Sequence, residues 1–265
     1  MRASATSFGL MPNEMDVTHD AVLGGRLRLT QPERGHRFGH DAILLAAAVS
    51  AKSGDRVVEF GAGVGAAGLA LASRVPGIDL TLVEIEPALT ALAAENIRAN
   101  GFDETAHAVT LDVGASADEF TKAGMPPGSA DHVLMNPPFN TETLQASPDA
   151  LRRRAHAAEK ETLPAWSASA HRLLRDGGIL TLIWRAEGLG EILAALKRGF
   201  GGVTILPIHS IEGEKPIRAI CRAVKGGSGA ALTLDGFALN DRTKKPTPAA
   251  EAVLRQATSL PIASQ

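Results

Sequence analysis

The residues most suggestive of chemistry lie in the stretch DHVLMNPPFN, residues 131–140, where a hydrophobic run ends in two adjacent prolines. Because proline has no N–H and a locked φ, Pro137 and Pro138 predict a rigid turn at the end of a strand. Such a turn can direct the side-chain oxygen of Asn136 and the carbonyl of Pro137 toward one point, and two convergent acceptors suit an NH₂ group. Phe139 would offer a flat face for a planar ring. The stretch predicts a site for a planar amine or amide; a proline turn beside a core phenylalanine is the alternative.

A second group of residues follows an earlier predicted strand, in EFGAGVGAAG. Gly61, Gly63 and Gly65 allow a tight turn and a close approach of the backbone to a ligand. Glu84 ends the next predicted strand, 19 residues beyond Gly65 (84 minus 65), where a carboxylate can accept hydrogen bonds from both hydroxyls of a ribose. These residues predict a nucleotide pocket. Since GAGVGA also satisfies the dinucleotide pattern, a nicotinamide enzyme is an alternative.

Other polar residues are weaker candidates, and each has a structural alternative. Asp112 closes a third predicted strand, where its carboxylate could meet an adenine amino group or could form a turn. We expect Glu86 to be solvated or to lie near a helix start. His40 and His156 are the nearest histidines for proton transfer, although a lone histidine is more often a surface or packing residue. Cys221 lies in the apolar run PIRAICRAV and is expected in the core.

Composition narrows the class of protein. The chain has 265 residues, 45% hydrophobic and 21% charged, which suits one globular domain with elaborations. The net charge of -2 provides no overall basic field for nucleic acid, although a local patch would suffice. One cysteine indicates a reducing cytoplasm. We expect no signal peptide and no membrane partner, since no apolar run approaches the roughly 20 residues of a membrane helix. We also expect no metal.

The order of the predicted elements indicates the fold. From RVVEF onward, strands, glycine turns and helices alternate, which predicts an α/β fold with a doubly wound, mostly parallel sheet. VTILPIHS and PIRAICRAV predict an antiparallel pair near its C-terminal end. Upstream, AVLGGRLRLTQP predicts a hairpin around Gly24 and Gly25, and DAILLAAAVSA a helix with Asp41 as N-cap. We therefore divide the chain into an N-terminal arm, hairpin and helix (1–50) and a main domain (51–265). VKGGSGAALTL predicts a flexible connection, and NDRTKKPTP a surface loop.

Taken together, EFGAGVG, LVEIE and NPPF resemble, in their order and spacing, the class I S-adenosylmethionine-dependent methyltransferases that act on exocyclic or amide nitrogen. The upstream QPERGHRFGHDAILLAAAV resembles a narrower group, the bacterial tRNA adenine-N6 methyltransferases that modify the anticodon loop of valine tRNA. TPAAEAVLRQA adds a weaker match, so the resemblance spans roughly residues 20–260. It implies a Rossmann-like sheet, S-adenosylmethionine as cofactor and methyl transfer to an exocyclic amine, adenine N6 in tRNA.

The resemblance also implies roles for single residues. Asn136, Pro137 and Phe139 would hold the target nitrogen as the catalytic set. The cofactor would contact a larger set of residues, and Asn136 belongs to this set as well. Gly39 and Asp41 would close the pocket. Glu59 would lie near the amino end of the cofactor, Gly61, Gly63 and Gly65 along its methionine part, Glu84 at its ribose and Asp112 at its adenine.

The methyl acceptor stays open at this point. Arginines that could meet RNA phosphates are Arg152, Arg153 and Arg154 after the NPPF turn, and Arg26, Arg28, Arg34 and Arg37 in the N-terminal part. A solvated charge run is the equal alternative for each cluster. The competing functions are methylation of a protein glutamine amide or of a small molecule, including O-methylation, and a nicotinamide-binding Rossmann protein. The oligomeric state is not predicted.

Overall fold

A computed structural model describes residues 16–34, 37–138 and 162–264. Its strands are β1 Val17–Val22, β2 Leu27–Pro32, β3 Arg56–Phe60, β4 Asp79–Glu84, β5 Ala106–Thr110, β6 Ala130–Met135, β7 Leu174–Arg185, β8 Phe200–Ile211, β9 Pro216–Lys225, β10 Leu232–Thr233 and β11 Phe237–Asn240. Its helices are α1 His40–Ala48, α2 Ala66–Arg74, α3 Pro87–Ala99, α4 Ala117–Lys122, α5 at 162–173, α6 Leu189–Leu196 and α7 Pro248–Gln256. Among these described residues, no helix is long and apolar enough to cross a membrane.

The main sheet has the order β10-β8-β9-β7-β6-β3-β4-β5, and β11 also pairs with β8. Its pairs are parallel except those of β9, which runs against both β7 and β8. The predicted α/β fold, mostly parallel with an antiparallel strand near the C-terminal end, is therefore confirmed. The chain leaves β3 for β4 on one side and later returns to β6 on the other. This reversal creates the crevice where open α/β sheets bind ligands.

The core lies on both faces of this sheet, because parallel strands are apolar on both sides. Successive residues of β3 point to opposite faces of the sheet. Val57 packs with apolar residues of α1 and α2, and Val58 packs with those of α4 and α5. Trp184 and Cys221 are fully buried in the second cluster. Cys221 is therefore a core residue, as predicted, and its burial raises the pKa of its thiol to about 12.

The predicted N-terminal hairpin is present and is fastened to α3. β1 and β2 pair antiparallel, with Val22 opposite Leu27. The Asn96 side chain accepts a hydrogen bond from the Thr30 N–H (2.7 Å) and donates to the carbonyls of Thr30 (2.9 Å) and Val64 (3.0 Å). One buried amide thus ties the hairpin to the loop that follows β3. The division into units at residue 50 stays a prediction.

Three local predictions were wrong. Gly39, not Asp41, is the N-cap of α1, because its extended backbone precedes the helix while Asp41 bonds to a distant strand. VKGGSGAALTL is not only a connection, since β10 lies within it and pairs with β8. The stretch LPAWSASAHRLLRDGG (163–178) predicts a helix that ends in glycines, but α5 ends at residue 173, because Leu174 already pairs with Ala130 of β6.

Candidate active site

The predicted site residues gather where the parallel strands end. Phe60, the last residue of β3, pairs with Val83 of β4 and with Met135 of β6. The residues that follow these three partners are Gly61, Glu84 and Asn136, which therefore lie side by side at the carboxyl edge of the sheet. This edge is also the point where the strand order reverses, the usual position of a ligand crevice.

The glycine turn is closed on one side and open on the other. Gly61, Gly63 and Gly65 all have φ in the left-handed region, at 63°, 56° and 87°, which other residues adopt only with strain. An added Cβ would overlap the Trp166 ring at Gly61 and would come within 2.7 Å of Leu82 Cδ1 at Gly65, but would meet nothing at Gly63. The open side at Gly63 is where a ligand can approach the backbone.

Glu84 is fixed beside this turn. Its side chain is buried, its Oε2 accepts from the Gly63 N–H (2.8 Å) and its Oε1 from the Glu86 N–H (3.0 Å). Each carboxylate oxygen has a second acceptor position, so the group can still receive hydroxyl donors. The next residue, Ile85, is a large apolar side chain that is 60% exposed. A preset carboxylate next to an exposed apolar face suits a ribose that carries a planar base.

Glu59 is a buried carboxyl behind the turn. It is 5% exposed, and its Oε2 accepts from the Gly68 N–H at 2.7 Å. Burial raises the pKa of Glu59 to about 8, with the nearby Glu84 contributing and the Gly68 hydrogen bond opposing the rise. A cationic group brought close would favour the ionised form. The chemistry of this position therefore fits the ammonium end of a methionine-derived ligand.

The Glu59 pKa gives a prediction about stability. Because the folded-state pKa of about 8 exceeds the usual 4.5, the protonated carboxyl stabilises the fold fully below pH 4.5. This contribution is lost as the pH rises through the folded-state pKa. The free energy of unfolding of Glu59→Gln minus that of the unmodified chain should therefore rise between pH 5 and pH 8, by on the order of 3 kcal/mol.

Urea unfolding at several pH values measures this difference, and titrations common to both chains cancel in it. Glu95→Gln is the matched control, since Glu95 is an exposed carboxylate on α3. A Glu59→Gln curve that stays parallel to that of the unmodified chain would contradict the raised pKa.

Asn136, directly after β6, has an unused acceptor. Its Oδ1 is buried and has no hydrogen-bond partner within the described part of the chain. Buried polar atoms are nearly always paired, so an unpaired one calls for a specific explanation. Pro137, which follows, is buried and has no N–H to offer. Phe139, predicted as the stacking face, lies outside the described residues.

The remaining predicted residues are placed less decisively. Asp112 is exposed, and its Oδ1 accepts from the Gly114 N–H at 2.7 Å, so it does form a turn; an adenine contact stays a prediction. Gly39 and His40 are exposed at the start of α1. His156 lies outside the described residues, and a proton-transfer role for either histidine is untested. Within the described ranges, no three His, Cys, Asp or Glu side chains are grouped to hold a metal.

Asp41 reaches the same edge through a partner that no local pattern indicated. Its Oδ2 accepts from Arg218 Nε at 2.8 Å. Arg218, the third residue of β9, pairs with Arg185, the last residue of β7. The start of α1 is therefore held at the carboxyl edge of the sheet. Trp166 and Ile85 were also missed. For Ile85 the signal was available, since it follows an acidic strand end, whereas nothing in LPAWSASAHRLL marked the tryptophan.

Comparison with known proteins identifies the domain. The sequence model of the methyltransferase small domain matches residues 37–209. The chain belongs to this methyltransferase family. S-adenosylmethionine is accordingly the cofactor of the domain, and the nicotinamide alternative has no support. The open turn at Gly63, the preset Glu84 and the buried Glu59 carboxyl fit that cofactor.

Curated relatives and solved structures agree with this family. A tRNA1(Val) (adenine(37)-N6)-methyltransferase from Yersinia pestis is 27% identical over 148 residues, 56% of this chain and 57% of that protein. The chain thus matches little more than half the length of this relative. A predicted O-methyltransferase from Agrobacterium tumefaciens superposes with a TM-score of 0.69 at 27% identity, covering 83% of this chain and 98% of that one.

A second solved structure shows the fold alone. The T. thermophilus 16S rRNA N2 G1207 methyltransferase, in complex with AdoMet and guanosine, has a TM-score of 0.54 at 18% identity. The match covers 79% of this chain and 50% of that protein. The Rossmann-like architecture predicted from the sequence is therefore shared with solved methyltransferases.

Proposed function

We propose that this protein transfers the methyl group of S-adenosylmethionine to an exocyclic amino nitrogen, and that its acceptor is adenine N6 in tRNA. The observation that carries the proposal is the buried, unpartnered Oδ1 of Asn136 beside the glycine turn. An unused acceptor at the end of β6 suits an amine that donates hydrogen bonds. The Yersinia relatives, whose name states this reaction, support adenine N6 and tRNA.

The residues of the chain act mainly by placement. When bound, S-adenosylmethionine supplies a methyl group that needs no further activation. Asn136 Oδ1 and the Pro137 carbonyl accept the two amine hydrogens and orient the nitrogen for in-line attack. The same two acceptors favour the positive charge that develops on that nitrogen. The rigid proline turn keeps both acceptors in place.

Cofactor contacts are assigned from the same geometry. Glu84 would accept the ribose hydroxyls, Ile85 would pack against the adenine ring, and Glu59 would face the ammonium group. The backbone at Gly63 would approach the methionine part. Further contacts come from the resemblance: Gly61 and Gly65 along the turn, Asp112 at the adenine, Asn136 also at the cofactor, and Gly39 with Asp41 at the N-terminal side of the pocket.

A second candidate function is O-methylation of a small acceptor. It is favoured by the Agrobacterium protein, described as a predicted O-methyltransferase, whose structure this chain matches over 83% of its length. Against it stands Asn136, since a hydroxyl offers one hydrogen where an amine offers two. A protein glutamine amide also has an NH₂ group, so it remains the alternative amine. A cytoplasmic location stays a prediction.

The N-terminal arginines are available for phosphates in different degrees. Arg26, Arg28 and Arg34 are exposed, whereas Arg37 forms an ion pair with Asp20 at 3.0 Å. The run at residues 152–154 lies outside the described part of the chain. An RNA contact at any of these arginines stays a prediction.

Nucleoside mass spectrometry tests the acceptor. We expect N6-methyladenosine to disappear from purified valine tRNA when the gene is deleted, because the chain provides the amine-holding turn. Incubating this tRNA with the purified chain and S-adenosylmethionine should restore the modification. The Asn136→Ala chain is the control that should not restore it. Unchanged N6-methyladenosine in the deletion strain, together with an inactive purified chain, would contradict the tRNA proposal.

A further inference from the structure

A large cleft lies between the N-terminal hairpin and the C-terminal elements. We name it the hairpin–α7 cleft; it has a volume of about 750 Å³, within the range of small-molecule and cofactor sites. β1 and the segment before α1 line one side, and β11 with α7 lines the other. Neither the glycine turn nor Asn136 is part of its lining. The cleft therefore extends beyond the cofactor crevice and borders it at Gly39.

The cleft lies beside the candidate active site. Gly39 and His40, at the start of α1, line it, and the next residue, Asp41, is bonded to Arg218 at the carboxyl edge of the sheet. On the opposite wall, β11 runs parallel to β8 and ends at Asn240. Because parallel strands share their carboxyl edge, that wall ends at the same edge as β3, β4 and β6. A chain held in the cleft can continue toward Asn136.

The walls of the cleft combine apolar and polar side chains. Ile43, Leu239 and Leu254 contribute apolar surface, and Asn240 contributes an amide, whereas the buried Gln31 amide already bonds to Asp20 and to the Phe38 N–H. Such a mixture suits a nucleotide base, which has an apolar face and a polar edge. The charged residues of the lining are paired with each other, Arg37 with Asp20 (3.0 Å) and Arg255 with Glu251 (2.8 Å). The walls therefore have no strong charge of either sign.

A basic loop forms the rim. Residues 241–245 connect Asn240 to Pro246, which face each other in an isolated bridge and both line the cleft. The Asp241 side chain accepts hydrogen bonds from the Thr243 N–H (2.7 Å), the Thr243 hydroxyl (2.7 Å) and the Lys245 N–H (3.0 Å). These bonds fix the loop, which has a left-handed residue, Lys244, at φ 65°.

Three cations project from this fixed loop. Arg242, Lys244 and Lys245 are exposed, and none forms a salt bridge with another described residue. With Asp241 counted, the loop has a net charge of +2 (three cations minus one carboxylate). Preformed cations that form no salt bridge with other described residues suit phosphates, and RNA binding gains free energy when counterions are released from the phosphates.

We propose that the hairpin–α7 cleft binds nucleotides that flank the target base in RNA, with phosphates on the basic rim and bases against the walls. The proposal rests on the proposed RNA methylation and extends it, because it names the surface that would hold the acceptor beyond Asn136. It also explains how a chain with a net charge of -2 could bind a polyanion: the cations are local and ordered.

The rim is tested by removing its charges in the full chain. The triple variant Arg242→Gln, Lys244→Gln, Lys245→Gln is titrated with valine tRNA at several salt concentrations. Three lost phosphate contacts should reduce the log–log salt slope by roughly 2–3, since each contributes about 0.7–0.9. Affinity for S-adenosylhomocysteine and the thermal midpoint should stay unchanged, which verifies the fold.

The chain provides a matched control. Lys52, Lys197 and Arg198 are exposed, consist of the same residue types, and precede β3 and β8 at the opposite edge of the sheet. Replacing these three by glutamine removes the same charge, and we expect the salt slope to change by less than about 0.5. A second variant, Ala21→Trp, places an indole at an exposed lining position of the cleft. It should raise the KM for tRNA at least about fivefold while leaving the salt slope unchanged.

The outcomes separate the two proposals. A smaller slope in the rim variant alone, with a raised KM in Ala21→Trp, supports the cleft. Equal losses in the rim and control variants would mean that only total charge matters, and would overturn it. Unaltered slope and KM in a chain that methylates tRNA would overturn the cleft but leave the proposed function standing. A chain that methylates a small molecule or a protein amide but no RNA would overturn both.

Discussion

Replacing Asn136 by alanine is expected to lower kcat for methyl transfer by about 10²–10³-fold, the usual effect of removing a preorganised group that stabilises developing charge. The Oδ1 atom of Asn136 is buried and unpartnered among the described residues, and in the proposed function it accepts a hydrogen bond from the amine. Alanine removes this acceptor, and in the proposed binding mode it leaves the amine held only by the Pro137 carbonyl. Methyl transfer from radiolabelled S-adenosylmethionine to valine tRNA measures the loss.

Two further measurements separate a catalytic defect from a general one. The Asn136→Ala chain should bind tRNA with an unchanged salt slope, because phosphate contacts do not involve the amide. Asn136→Asp keeps an acceptor oxygen at the same position and should retain more activity than alanine. An alanine variant that works at the normal rate would show that Asn136 does not hold the acceptor.

Replacing Glu84 by alanine should weaken S-adenosylhomocysteine binding by roughly 10²–10⁴-fold, because two hydrogen bonds to a charged acceptor contribute about 1.5–3 kcal/mol each. The change also leaves the N–H groups of Gly63 and Glu86 without their acceptor, so the turn itself should loosen. Both effects act in the same direction on affinity. Isothermal titration calorimetry measures the dissociation constant.

Glu86→Ala is the matched control for this change. Glu86 is an exposed carboxylate two residues away from Glu84. Its backbone N–H, not its side chain, donates the hydrogen bond to Glu84. Alanine there should leave the affinity within about twofold, as expected for a surface change. If the Glu84→Ala chain is folded by circular dichroism and binds S-adenosylhomocysteine normally, Glu84 does not contact the ribose.

Much of the fold could be predicted because its signals are local. RVVEF corresponds to β3 without a shift of boundary, and α3 starts at Pro87, in keeping with the preference of proline for the first position of a helix. Apolar runs, glycines and a helix-starting proline act within a few residues, so they can be read in order along the chain. The short strands β10 and β11 carry no such signal; they form because β8 offers an unpaired edge.

The sequence by itself determined which groups stand at strand ends: the three glycines after β3, Glu84 at the end of β4 and Asn136 after β6. Since the carboxyl ends of adjacent parallel strands meet at one edge, the alternation of strands and helices was enough to bring these groups together. The family resemblance follows from the same residues. The identity of the methyl acceptor does not follow from these residues, because it depends on surfaces formed by distant segments.

Only the tertiary structure decided the contacts between such segments. Asp41 and Arg218 are hydrogen-bonded although they are 177 residues apart. Trp166 of α5 packs against the glycine turn at Gly61. The hairpin–α7 cleft is lined by residues from distant parts of the chain. Side-chain periodicity records which face of an element is buried, not which partner buries it. The partner is chosen by strand register and by packing over the whole core, and neither leaves a local trace in the sequence.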